Sequence, residues 1–175
     1  MQETLPRHLS SGILEFCATI SAEQPVFIQS RPAPDAGLGY CFENVKRIVA
    51  STGGSAAFGW AIWHMRGTYY EAEHHGVWRS PAGEMLDVSP QMNGYSTILF
   101  LPDDASIYDP ANFRPNIFAP ESADPTAVAF VAAARRRNEI LNSYRQPGVT
   151  EVTLNPADQI EVDQLFERME DLLRG

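Results

Sequence analysis

Three residue types that together support nucleophilic catalysis occur in order along the chain: Cys41, His75 and Asp87. Cys41 stands in the stretch GYCFENV, at the start of an expected helix. The positive end of a helix dipole and its unsatisfied N–H groups favour the thiolate, which is the nucleophilic form of cysteine. An imidazole can take the thiol proton, and a carboxylate can orient the imidazole. The three residues therefore predict a Cys-His-Asp triad.

The two partners of the cysteine lie in the stretch EAEHHGVWRSPAGEMLDVSP, which is typical of a β-hairpin with its turn at residues 80–82. In the register that this turn favours, His75 falls directly opposite Asp87, with Cβ atoms about 5 Å apart. A register shift of one residue puts His74 in that place, because strand side chains alternate between faces. We prefer His75 as the base, and His74 is the alternative.

Helices must position the cysteine. Apolar residues at steps of three and four predict a helix over about residues 7–22, in which Cys17 is inert packing on the apolar stripe. The helix that starts at Cys41 is expected to end at the glycine pair Gly53-Gly54. Two further helices are predicted, one over about residues 125–144 and one that begins at Pro156 after an Asn cap.

Strands must position the histidine and the aspartate. A short strand is predicted at residues 26–28, and aromatic and β-branched runs over residues 55–102 predict four more. We therefore expect an α+β fold in which an antiparallel meander sheet packs against helices. The length predicts a single domain over residues 1–175, with a catalytic core at about 25–101 and a C-terminal helical extension at about 125–175.

Composition restricts the partners and the compartment. The net charge of −9 argues against nucleic acid and against an anionic membrane, since both are bound through clustered Lys and Arg. Two cysteines do not form a disulfide framework, and no signal peptide or spanning segment is evident, so a cytoplasmic protein is expected. Export as an effector that needs no cleaved signal is compatible with the same sequence. The oligomeric state is left open.

The stretches GYCFEN, HGVW and DVSP, in this order, resemble the papain-like and transglutaminase-like cysteine enzymes, a superfamily that includes arylamine N-acetyltransferases. The Cys-x-Glu-Asn run is also similar to one in N-terminal glutamine amidases. The resemblance covers about residues 25–101 and implies a papain-like or transglutaminase-like core.

The resemblance implies a role for each member of the site. Cys41 is then the nucleophile, His75 the general base and acid, and Asp87 the orienting carboxylate. The oxyanion is held by the backbone N–H of Cys41 and by a side-chain donor upstream, for which Gln29 is the candidate.

The expected activity is thiol-dependent hydrolysis of an amide or acyl bond through a covalent acyl-enzyme, as in a peptidase, an amidase or a deamidase. The substrate is a peptide, a protein or a small amide, and the aromatic side chains of Tyr40 and Trp78 are candidates for binding it. Neither a cofactor nor a metal is expected. The chain is too short for the extra domains of transglutaminases or acetyltransferases, so a hydrolase or deamidase is preferred to a coenzyme A acetyltransferase. An acyl or amine transferase stays as an alternative, because the choice between water and an amine as acceptor is left open.

Two other classes of protein fit the same residues. A non-catalytic module on the same fold could use its acidic charge to bind a basic protein. A zinc-binding protein could draw on imidazole, thiolate and carboxylate donors from Cys41, Glu71, Glu73, His74, His75 and Asp87. The zinc hypothesis is disfavoured, because adjacent strand residues such as His74 and His75 point to opposite faces and no paired metal-ligand motif is present.

Overall fold

The structure is a computed structural model that describes residues 4–146 and 152–174. The chain divides into two compact units. The first, called the barrel unit, consists of residues 5–63 and 73–108. The second, called the helical unit, consists of residue 4, residues 64–72 and the described residues from 109 onward. Within the described ranges, no helix is long and apolar enough to cross a membrane.

The barrel unit contains two helices and most of the sheet. Its elements, in chain order, are α1 (Ser11–Ala18), β1 (Val26–Ser30), α2 (Cys41–Thr52), β2 (Ser55–Met65), β3 (Tyr69–Arg79), β4 (Met85–Asp87) and β5 (Thr97–Pro102). The ends of β2 and β3 that meet at their connecting turn continue into the helical unit. The strand order is β2-β5-β1-β4-β3, and a further pairing of β2 with β3 closes these five strands into a small barrel.

The helical unit contains the remaining elements. These are β6 (Ile117–Pro120), α3 (Pro125–Ser143) and α4 (Pro156–Arg174). β6 pairs antiparallel with the first residues of β3, from Tyr69 to Ala72. α3 is capped by the Asp124 carboxylate and packs against α4. The apolar core of this unit includes the stacked rings of Tyr69 and Phe130.

The sheet is mixed, which corrects the predicted antiparallel meander. β2, β3 and β4 are neighbours in sequence order as expected, but β1 lies between β4 and β5. β1 runs parallel to β4 and antiparallel to β5. A parallel pair needs a long crossover, and here α2, β2 and β3 provide it. Sequence patterns report local hairpins, so they give no sign of a partner so far away along the chain.

Inward-facing side chains of four strands, β1, β2, β3 and β5, form one apolar cluster, called the interior cluster. Because the strands close on themselves, alternate residues from each strand converge inside the barrel. The cluster consists of Ile28, Ala57, Ala61, Val77, Ile98 and Phe100, with Trp63 and Met85 packed against it. The members of the interior cluster show which face of each strand points inward. Alternate residues further along each strand therefore point inward too.

Of the two helices of the barrel unit, α1 begins at a residue with a capping side chain and α2 begins without one. The Ser10 hydroxyl accepts a hydrogen bond from the N–H of Ile13, so α1 starts later than the predicted residue 7. α2 begins at Cys41, as predicted. It ends before Gly53, whose φ of 81° is easily adopted only by glycine.

Candidate active site

The structure brings Cys41, His75 and Asp87 together at one end of the barrel interior. His75 and Asp87 are buried, with 7% and 0% of their surfaces exposed, and His75 Nε2 lies 3.2 Å from Asp87 Oδ1. Cys41 is half-buried at the first residue of α2, and it lies close enough to His75 for its charge and side chain to raise the pKa of that imidazole. Because Nε2 faces the carboxylate, Nδ1 is the ring nitrogen left for the sulfur.

The hairpin register differs from the predicted one by two residues. Trp78 pairs with Leu86 and Arg79 with Met85, so His75 is diagonal to Asp87 instead of directly opposite it. A shift of two residues keeps every side chain on its original face, since strand side chains alternate with a period of two. Diagonal neighbours on one face remain within reach of long side chains. The predicted contact therefore forms despite the different register.

β4 is short, and this exposes the edge of β3 where His75 lies. The last β3 residue with a partner in β4 is Trp78, opposite Leu86. In the described residues the β3–β4 pairs end at Trp78, so His75 lies on a part of this edge that has no β4 partner. The helix N-terminus therefore approaches His75 from the end of the barrel.

Asp87 is the centre of a buried hydrogen-bond network. Its Oδ1 accepts from His75 Nε2 and from the Ser89 N–H at 3.0 Å. Its Oδ2 accepts from the Ser30 hydroxyl at 2.9 Å and from Gln91 Nε2 at 2.5 Å. A carboxylate with four donors around it is stabilised in its ionised form and fixed in orientation.

The pKa values of the pair move in opposite directions. Burial lowers the pKa of His75, but the charge and hydrogen bond of Cys41 and the hydrogen bond and charge of Asp87 outweigh burial and hold that pKa well above its usual range. Burial raises the pKa of Asp87, yet the hydrogen bond and charge of His75, helped by Ser89 and Ser30, bring it below its ordinary value. The arrangement thus favours a protonated imidazole beside an ionised carboxylate.

Asn44 fixes the loop that leads into Cys41. It is buried, and its amide exchanges two hydrogen bonds with the backbone of Gly37, one at 3.0 Å and one at 2.8 Å. Its Nδ2 also donates to the Ser89 hydroxyl at 3.2 Å. Ser89 in turn donates its N–H to Asp87. One amide on α2 therefore links the loop before Cys41 with the loop that follows Asp87.

On the outer face of β3, Phe42 anchors the first turn of α2. Its ring lies against Gly76, where an added Cβ would meet Phe42 Cδ1 at 2.9 Å. His74 also points to this face, and its ring centroid lies 4.9 Å from that of Phe42. His74 Nε2 lies 2.6 Å from the Ser106 carbonyl oxygen, to which it donates. The structure therefore assigns His75, and not His74, to the cluster with Cys41.

Residues 103–108 pack over Phe42 on this outer face of β3. The Tyr108 ring stacks on Phe42 with centroids 3.9 Å apart and an interplanar angle of 9°. The Tyr108 hydroxyl donates to Glu43 Oε1 at 3.3 Å. Asp103 accepts from the indole N–H of Trp60 at 3.0 Å. The two Tyr108 contacts hold Phe42 and Glu43, the residues that follow Cys41 in the first turn of α2.

The other predicted site residues lie in different places. Gln29 is exposed and points to the opposite face of β1 from Ser30, whose hydroxyl bonds Asp87, so it is not brought to the triad. Trp78 donates its indole N–H to the Gly53 carbonyl at 2.9 Å, at the end of α2 remote from Cys41. Tyr40 is half-buried directly before Cys41, and its ring packs on Gly37.

Sequence reasoning missed the residues that hold Asp87. The Asp-x-Ser spacing of Asp87 and Ser89 is typical of an Asx turn, so the Ser89 contact had a local signal. Ser30 and Gln91 had none, because their approach depends on the β1–β4 pairing and on the loop after β4. Across residues 4–146 and 152–174, no group of three or more His, Cys, Asp or Glu side chains is placed to hold a metal ion.

Comparison with protein-family models finds no match to this chain. Searches of curated proteins and of solved structures also find no match. The geometry of the site is therefore the basis on which a function can be proposed.

Proposed function

We propose that this protein is a thiol-dependent hydrolase that cleaves an amide or acyl bond through a covalent acyl-enzyme. The observation that carries the proposal is a row of three side chains: Cys41 lies close enough to His75 to raise the pKa of the imidazole, and His75 Nε2 lies 3.2 Å from Asp87 Oδ1. Nucleophile, base and orienting group in contact are the signature of an activated nucleophile. The likeness of the three motifs to papain-like enzymes agrees with this proposal.

In the proposed first step, the Cys41 thiolate attacks the carbonyl carbon, and its proton resides on His75. The new C–S bond gives a tetrahedral intermediate, whose oxyanion is placed near the N-terminus of α2. The first N–H groups of a helix have no intrahelical acceptor, so the backbone N–H of Cys41 can donate to that oxygen. With Gln29 on the other face of β1, this backbone group is the proposed donor.

Collapse of the intermediate breaks the bond to the leaving group, which takes the proton from His75. The product of this half-reaction is a thioester on Cys41. In the second half, His75 accepts a proton from water, the resulting hydroxide attacks the thioester, and the thiolate leaves. Asp87 keeps the imidazole oriented throughout and balances its positive charge.

The first test is alkylation of Cys41 by iodoacetamide, followed by peptide mass spectrometry. We expect Cys41 to react faster at pH 6 than a small free thiol such as glutathione, and His75→Gln to remove that excess. Cys17 is an internal control in the same molecule, because it is 1% exposed and burial raises its pKa to about 11. His8→Gln on the exposed N-terminal segment is the matched substitution and should leave the rate unchanged.

The second test follows acyl transfer with p-nitrophenyl acetate. Cys41 should take the acetyl group as p-nitrophenolate leaves, which adds one acetyl mass to the peptide that contains Cys41. Cys41→Ser should show neither the initial burst of p-nitrophenolate nor the added acetyl mass. Faster release of the acetyl group by an added amine than by water alone would assign the protein to the transferases instead. Alkylation of Cys41 no faster than glutathione would remove the basis of the proposal.

A further inference from the structure

A carboxylate bonded to an indole lies on the same face of β3 as His75, two residues nearer the N-terminus of that strand. Glu73 and His75 both have the inward orientation, because alternate residues of a strand share a face. Two residues of extended chain span about 6.6 Å. Glu73 is exposed whereas His75 is buried, so the face passes from the triad to solvent at this point.

The Glu73 carboxylate is held in place by an indole. Trp63 Nε1 donates to Glu73 Oε2 at 3.1 Å, which leaves the other carboxylate oxygen for a further donor. Trp63 itself packs against the interior cluster and is therefore fixed. The orientation of Glu73 is accordingly set by the core of the barrel.

A second ring extends the same surface. The Tyr95 ring centroid lies 6.1 Å from that of Trp63, with a tilt of 31°. Tyr95 belongs to the loop after β4, in which Gln91 bonds the Asp87 carboxylate. The aromatic pair and the triad are thus parts of neighbouring segments of the same unit.

We infer that Glu73, Trp63 and Tyr95 form a substrate subsite for a positively charged group, an ammonium or a guanidinium, next to the bond that Cys41 attacks. A carboxylate attracts such a group directly, and aromatic faces attract it through the ring quadrupole. The net charge of −9 draws cations toward the protein as a whole. The inference rests on the proposed function, because it names the substrate class of the same nucleophile.

The test measures the reaction of Cys41 with methanethiosulfonates that carry different charges. The thiolate attacks the reagent sulfur, a disulfide forms and methanesulfinate leaves, so no hydrolytic activity is needed. The cationic reagent is 2-(trimethylammonium)ethyl methanethiosulfonate, and the neutral one is methyl methanethiosulfonate. The ratio of their rates, divided by the same ratio for glutathione, measures the preference of Cys41 for the cationic reagent, and comparison of variants isolates the part due to Glu73.

We expect this normalised ratio to exceed one and to fall about five-fold in Glu73→Gln, in keeping with one partly exposed ion pair. Glu84→Gln is the matched control, since Glu84 is an exposed glutamate in the β3–β4 turn, at the far end of β3. An equal ratio in the native protein, Glu73→Gln and Glu84→Gln overturns the subsite. Slow reaction with the neutral reagent instead counts against the proposed function, so the two failures are distinguishable.

Protection experiments separate the sources of the cation. Butylammonium and N-acetyl-lysine methylamide are each tested for their ability to slow alkylation of Cys41 by iodoacetamide. Protection by butylammonium supports a small amine as the natural group, and protection by the lysine derivative alone supports a peptide side chain. The inference is overturned if neither compound slows the alkylation of Cys41 in the native protein and neither changes the alkylation rate in Glu73→Gln at the same concentrations.

Discussion

Replacing Asp87 with alanine is expected to destabilise the protein strongly, because this carboxylate is fully buried and accepts four hydrogen bonds. Three of the donors, on His75, Ser30 and Ser89, belong to residues that are themselves buried. The fourth, on Gln91, is half-buried and can turn toward water. Removing one partner of a buried charge pair costs about 3–5 kcal/mol, and we expect a loss of this size in the free energy of unfolding.

The assay is urea unfolding at pH 7, followed by tryptophan fluorescence and by far-ultraviolet circular dichroism. Ser30→Ala removes one hydroxyl donor to the same carboxylate and should cost about 1.5 kcal/mol. Asp104→Ala makes the same substitution at an exposed position and should change stability by less than about 0.5 kcal/mol. The free energy of unfolding of a typical domain is only about 5–15 kcal/mol, so the expected loss is a large part of it. A loss below about 1 kcal/mol in Asp87→Ala would refute the network as a structural element.

Three other predictions test the surroundings of the triad. Gly76→Ala should slow alkylation of Cys41 and cost about 1–3 kcal/mol, because its Cβ would meet the Phe42 ring at 2.9 Å; unchanged rate and stability would show that Phe42 is not an anchor. Tyr108→Ala should lower the alkylation rate of Cys41 while Tyr108→Phe, which keeps the stack, restores most of it, and equal rates in both variants would contradict a positioning role. The His75–Asp87 pair should stabilise the fold fully between about pH 4 and 6.5. Because the pKa of His75 is raised in the fold, its contribution is lost as the pH rises through that pKa; because the pKa of Asp87 is lowered, its contribution is lost as the pH falls through that pKa. A pH profile of the urea midpoint with the same shape in His75→Gln would contradict this.

The start of α2 and the hairpin of β3 with β4 could be predicted because their signals are local. A loop rich in glycine and proline followed by an amphipathic run locates a helix start, and Cys41 is the first residue of α2. The turn after Arg79 locates the hairpin, although its loop is longer than assumed and shifts the register by two residues. The pairing of His75 with Asp87 tolerates that error, because only odd shifts change the face.

The partner of β1 could not be predicted, and Gln29 shows the consequence. A likeness in motif order selected a glutamine before the nucleophile as the second oxyanion donor. Which residues of β1 face the site depends on its pairing between β4 and β5, and that pairing places Ser30 inward and Gln29 outward. The sequence has no local feature that distinguishes these two polar neighbours. Only the closed sheet decides between them.

The location of the site follows from one repeated feature of three strands. On each of these strands an apolar inward residue is followed, two positions along, by a polar inward residue. The apolar residues are Ile28 and Val77 of the interior cluster and Met85, which packs against it. Their polar neighbours are Ser30 after Ile28, Asp87 after Met85, and His75 before Val77. β1 and β4 are parallel and β3 is antiparallel to β4, so all three changes from apolar to polar occur at the same end of the barrel. The apolar side excludes water from the imidazole and the carboxylate, which strengthens their interaction. The polar side meets the N-terminus of α2, so the thiol reaches the pair only at this end.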